Sequence, residues 1–230
     1  SLMGCDYSVT GRPNLYEGPS LRRLLSVAED AARRAGTADD EHDFGGARHR
    51  MRTAQIPLNL VESGPVLQTL FDPDAPPETP GGEKGRFVTA LEAAEAKGIF
   101  VVGNRPINAI APEGIGAGDW GRGETFWKLI EKAPLSPELS LMKQRIQVAV
   151  GGGDHRMDYF HEVQHLAMWA ASSANGIGAE LCGARTPRYV KDVEKVLSQP
   201  RLNAEESTRV FHAVRELLIE LNPSHARLWD

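Results

Sequence analysis

The chain has 230 residues, 41% hydrophobic and 25% charged, with a formal net charge of −5. That length suffices for one large domain or two small ones, with enough core to need neither disulfide nor metal staple. The acidic balance argues against non-specific nucleic-acid binding and offers a membrane surface no attraction. No apolar run approaches the ~18 residues of a membrane span. The two cysteines, Cys5 and Cys182, form no disulfide framework and fit the cytoplasm or another reducing compartment.

Residues 3–9 (MGCDYSV) read as a short strand. Because the chain enters that apolar stretch at once, a single domain truncated at its N-terminus is expected over 1–230. Leu21, Leu24, Leu25, Ala28, Ala31 and Ala32 recur at helical spacing over 19–35, with Gly36 as a stop. Residues 37–52 are polar and read as an insertion, with Arg48, His49, Arg50 and Arg52 as a solvated basic loop. "TAQIPLNL" (53–60) is a second strand, and the Pro-rich 72–82 a loop. The spacing of Phe87, Val88, Leu91 and Ala94 predicts a helix over 84–97, closed by Gly98.

"GIFVVGN" (98–104) has β-branched and aromatic residues without alternation, which predicts a strand buried on both faces. A Gly-rich loop follows at 111–123, then two or three helices over 124–175 ending at Gly176. "IGAELCG" (177–183) reads as a buried fourth strand, and Tyr189, Val190, Val193, Val196 and Leu197 mark a helix over 187–198. A last helix starts at Asn203, whose spacing to Glu206 is that of a capping box. Four strands, each followed by helices, describe a parallel α/β architecture. Four units cannot close an eight-stranded barrel, so the sheet is either small and open or half of something larger.

Two stretches carry candidate chemistry. "HEVQH" (161–165) matches a zinc-peptidase pattern, with His161 and His165 one turn apart and Glu162 as base. Tyr159, Val163, Leu166, Ala167 and Ala170 form the apolar stripe of that helix, and both histidines fall opposite it. They are therefore expected to face solvent, and a zinc hydrolase is the weaker alternative. At "GAELCGARTPRYVKDV" (178–193), a strand hands over to a helix through small residues, Arg185, a capping Thr186 and a first-turn Pro187. Such a turn can hold a phosphate on helix N–H groups, or it can be no more than a good helix start.

"AQIPLNLVESG", "GIFVVGNRPINAI" and "LCGARTPRYVKDV" resemble, in order and spacing, the last three strand regions of the aldo/keto reductases. "MGCDYSV" and its Leu-rich helix resemble that family's fifth unit. The resemblance implies a partial (β/α)8 TIM barrel, about four parallel βα units forming its second half. It implies an oxidoreductase fragment carrying part of a nicotinamide dinucleotide site, for NADP or NAD. The full-length form would act on a small-molecule carbonyl substrate, an aldehyde or ketone, and the missing N-terminal half or a homodimer partner would complete it. By the same resemblance, Gly183 and Ala184 let the backbone approach a phosphate and Arg185 neutralises it, while Gln55 bonds the nicotinamide carboxamide. Asn104 stands where a tyrosine often stacks on the ring, and Arg105 can reach the pyrophosphate. Tyr189 takes the place of a residue gripping the 2′-phosphate, Val193 that of an adenine-reading asparagine, and Asp6 and Tyr7 those of a Ser-Asn pair. The family's catalytic Asp, Tyr, Lys and His belong to the first four units, so the resemblance implies no catalytic residue here. A non-catalytic half-barrel that works by association is the competing expectation, since four strands leave two edges and an apolar face open.

Overall fold

The computed structural model describes residues 21–35, 51–72, 85–107, 125–132, 136–151, 160 and 162–221. The expected strand at 3–9, the basic loop at 48–50 and the Gly-rich loop at 111–123 lie outside them.

Helix α1 (Leu21–Arg34) buries Leu25 and Ala32 and ends on Arg33 and Arg34, the charge that suits a helix C-terminus. Strand β1 (Thr53–Pro57) stops sooner than its apolar continuation suggests. The cause is Asn59, whose Oδ1 accepts the N–H groups of Val61 and Glu62 at 2.9 and 2.8 Å and whose Nδ2 donates to Glu62 Oε2 at 2.7 Å. That local bonding turns the chain into the short helix α2 (Gly64–Leu67).

The helix expected over 84–97 is shorter. Residues 86–89 form β3 (Arg86–Thr89), which pairs antiparallel with β2 (Thr69–Asp72) in the register Thr69↔Thr89 and Asp72↔Arg86. Helix α3 (Ala90–Ala96) begins only after Thr89. There Thr89 Oγ1 accepts the Glu92 N–H and Glu92 Oε2 accepts the Thr89 N–H, a capping box that fixes the boundary. Gly98, at φ 64°, stops it in a backbone conformation that side chains resist.

Strand β4 (Phe100–Asn104) lies between β1 and β5 (Ile177–Leu181) in a three-stranded parallel sheet of order β1-β4-β5. The described fold is thus α/β with an open parallel sheet. Ala54 and Ile56 meet Val101 and Gly103 in register on the covered side. Phe100, Val102 and Asn104 alternate to the other side. The expectation of burial on both faces does not hold, because on that second side Phe100 is 50% exposed and Val102 and Asn104 are only half-buried. Nor is β5 a buried strand. It is one of the sheet's two outer members among the described residues, and beyond buried Ile177 it exposes Gly178, Ala179 and Leu181. A register shift between Val101 and Val102 brings Phe100 against Gly178.

The remaining described helices are α4 (Phe126–Lys132), α5 (Pro137–Val150), α6 (Val163–Ser173), α7 (Pro187–Leu197) and α8 (Ala204–Leu221). Helix α6 is buried almost all round, polar Gln164 included, and ends ahead of Gly176 at φ 85°. Helix α8 packs on α5, α6 and α2 and buries Val210, Phe211, Val214, Leu217 and Leu218. Asn203 and Glu206 bond reciprocally at 2.9 Å, as their spacing predicts. No described helix is long and apolar enough to cross a membrane.

Candidate functional site at the carboxyl ends of the strands

Parallel strands point their carboxyl ends one way, and ligands of open α/β sheets gather there. Here Pro57, Asn104 and Leu181 stand in register at the ends of β1, β4 and β5. Leu58 N donates to Asn104 O at 3.0 Å, which ties the chain leaving β1 to the last residue of β4. Arg105 follows, exposed and at φ 62°, a left-handed conformation uncommon for a residue with a Cβ. Such outliers persist only where surrounding structure holds them, and they gather at functional sites.

Beyond β5, Cys182 and Ala184 are half-buried while Gly183 and Arg185 are exposed. A Cβ built on Gly183 meets nothing within 4 Å, so the turn opens to space. Ala184 N donates to Cys182 O at 3.0 Å and tightens it. Thr186 then caps α7 by accepting the Tyr189 N–H, with Pro187 in the first turn. The fold thus gathers Asn104, Arg105, Gly183, Ala184 and Arg185 at one edge. Gln55 is set apart from them, half-buried on the sheet opposite Val102.

Tyr189 turns elsewhere. Its ring stacks on Trp127 at 3.9 Å and 6°, and its hydroxyl donates to Glu131 Oε1 at 3.3 Å. Desolvation and then the Glu131 carboxylate hold that hydroxyl above its usual range. Arg188 pairs with the same Glu131 at 3.3 Å. The first turn of α7 is therefore spent on docking α4.

The same interface holds a buried polar chain that the sequence did not announce. Asp192 accepts Trp127 Nε1–H on Oδ2 at 2.7 Å, and its Oδ1 lies 3.0 Å from His165 Nε2. His165 is 5% exposed, and its Nδ1 is buried without a partner. This corrects the solvent-facing expectation, and the reason lies in the helix. Glu162 is the extended N-cap of α6 at φ −132° and ψ 149°, so HEVQH does not lie on one helix. Glu162 instead accepts the Gln164 side-chain amide. His161 lies outside the described residues. Among the described residues, no group of three His, Cys, Asp or Glu could hold a metal.

Glu180 is the other group that residue pattern alone did not reveal. Its carboxyl lies over Gly103 of β4, where any Cβ would collide with it. Both oxygens are buried without a partner, and burial pushes the group up to about 8. It is therefore protonated at neutral pH. Cys182, whose Sγ lies 3.8 Å from Met168 Sδ, is pushed up to about 11 by burial, with Glu180 and Asp192 adding to it. A thiol held there is no nucleophile at physiological pH.

No family model, curated protein or solved structure matches the chain.

Proposed function

We propose that the carboxyl edge of the sheet binds the phosphate-bearing part of a nicotinamide dinucleotide, in a chain that forms the second half of a barrel-type oxidoreductase of the aldo/keto reductase kind. One observation carries the reading. Parallel pairing sets Asn104 and Arg105 beside the open Gly183–Arg185 turn, at the start of a helix of 11 residues. Arg105 and Arg185 supply two positive charges there, and the N-terminus of α7 adds the positive end of its dipole. Gly183 leaves room for a phosphate against the backbone.

The role of this chain in such an enzyme is binding and orientation. Arg185 and the turn hold the adenosine-side phosphate, and Arg105 is placed for the pyrophosphate. Gln55 offers its amide on the sheet face, where nicotinamide would lie. Tyr189, held by Trp127 and Glu131, is not a contact for a 2′-phosphate, and no described residue of the edge selects NADP over NAD. The bound nicotinamide would supply the hydride for an aldehyde or ketone. No residue here is assigned as the proton donor.

Equilibrium dialysis against NADPH and NADH tests the reading. Binding is expected, with Arg185→Ala and Arg105→Ala each weakening it about tenfold, the scale of one charge-assisted contact. Failure of both dinucleotides to bind at millimolar concentration overturns it.

A second reading rests on a different observation. Phe100 and Leu181 are 50% and 52% exposed, and β5 is an outer strand of the described sheet. An exposed apolar face beside an edge that pairs with no further described strand suits association, so the chain would act as a non-catalytic half-barrel completed by a partner or by itself. Sedimentation equilibrium separates the two. A strict monomer without dinucleotide, up to 100-fold above its working concentration, removes self-association.

A further inference from the structure

A cavity of about 370 Å³ lies under α7 against the outer edge of β5. Ile177, Gly178, Ala179 and Glu180 all line it. Alternate residues of a strand face opposite sides, so a wall made of consecutive ones is the strand's edge, where backbone N–H and C=O groups point. The opposite walls are apolar: Met168 and Trp169 from α6, Val193 and Val196 from α7. The size falls within the ~300–1,000 Å³ of small-molecule pockets.

The charge of the lining is one-sided. Glu180 contributes no accessible carboxylate, since both its oxygens are sealed over Gly103. Arg201 remains. Its guanidinium donates to the Ser172 carbonyl, and both residues border the cavity at the amino-terminal end of β5. No carboxylate among the described residues pairs with Arg201. An apolar chamber with one unneutralised guanidinium at its mouth has the features of a site for an amphipathic anion.

We infer that this cavity is a binding site for a small apolar carboxylate, its hydrocarbon body between α6, α7 and the β5 edge and its carboxylate on Arg201. The cavity runs along β5 as far as Cys182 and Pro106, beside the Gly183 turn, but its apolar walls and Arg201 do not rest on the dinucleotide reading.

Octanoate is the probe, and 1-octanol its uncharged counterpart, titrated into the full chain by calorimetry and by the change in tryptophan emission, to which Trp169 in the cavity wall contributes. Octanoate is expected to bind about tenfold more tightly than octanol. Arg201→Gln should bring the two to equality, and Val193→Trp, which fills the chamber, should abolish both. Arg201 is exposed, so its variant keeps the test sound even if the larger substitution does not fold. Equal affinity for acid and alcohol in the unaltered protein overturns the inference, as does octanoate binding that survives a folded Val193→Trp.

Discussion

Glu180 makes stability depend on pH in a way that one substitution can isolate. The group titrates near 4.5 when solvated and at about 8 in the folded chain, because burial without a partner disfavours its charged form. Between those values the folded state keeps a proton that the unfolded state has released. Stability therefore falls as pH rises, is fully present below about 4.5, and reaches its floor above about 8. At about 1.4 kcal/mol per unit, the whole loss is at most about 5 kcal/mol. Glu180→Gln keeps the shape and removes the titration. Urea unfolding of both proteins at pH 5, 6, 7 and 8 gives the difference directly, and other carboxylates cancel in it. The variant is expected to lie within about 1 kcal/mol of the parent near pH 5 and to exceed it by about 4 kcal/mol at pH 8. A difference that stays constant across that range refutes the reasoning and shows Glu180 ionised in the folded chain.

Gly103→Ala places a methyl where the Glu180 carboxyl rests. Since the obstacle is the mobile end of a side chain, a cost of about 1 kcal/mol is expected at pH 5. Displacement of the carboxyl should also flatten the pH dependence, which the same urea series reads. Asp192→Ala strips both the Trp127 indole N–H and His165 Nε2 of their partner. A loss of about 2–4 kcal/mol is expected in urea unfolding, with a red shift of tryptophan emission as α4 loosens; unchanged emission speaks against it. Leu217→Ala empties a fully buried position between α8 and its neighbours and should cost about 2–5 kcal/mol, again by urea unfolding.

Local signals in the sequence translated well into element boundaries. Thr186-Pro187 and Asn203 with Glu206 mark where α7 and α8 begin, because a cap is a bond between near neighbours. The β4 segment was legible from its β-branched and aromatic run after Gly98. The β2–β3 hairpin was not, because Phe87, Val88 and Leu91 satisfy a helical spacing and the pairing of 86–89 with 69–72 is a tertiary fact. Burial misled in both directions. An unalternating run predicted two covered faces for β4, yet covering depends on what other segments supply. An apolar stripe implies an opposite face in solvent for His165, but α6 is enclosed almost all round and a polar residue there needs a partner such as Asp192. At the candidate site, Arg105 and Arg185 stood out as residue types. Their common edge came only from strand order.

That order has a kinetic consequence. Both parallel pairings join residues far apart in the chain, β1 with β4 and β4 with β5, whereas β2 and β3 pair across a shorter loop. Closing long loops before any pairing rewards them slows assembly. The hairpin and helices are expected to organise first, with the sheet zipping last. During that interval Val101 and Ile177, buried in the finished sheet, meet water and other chains alike, so refolding yield should fall as protein concentration rises.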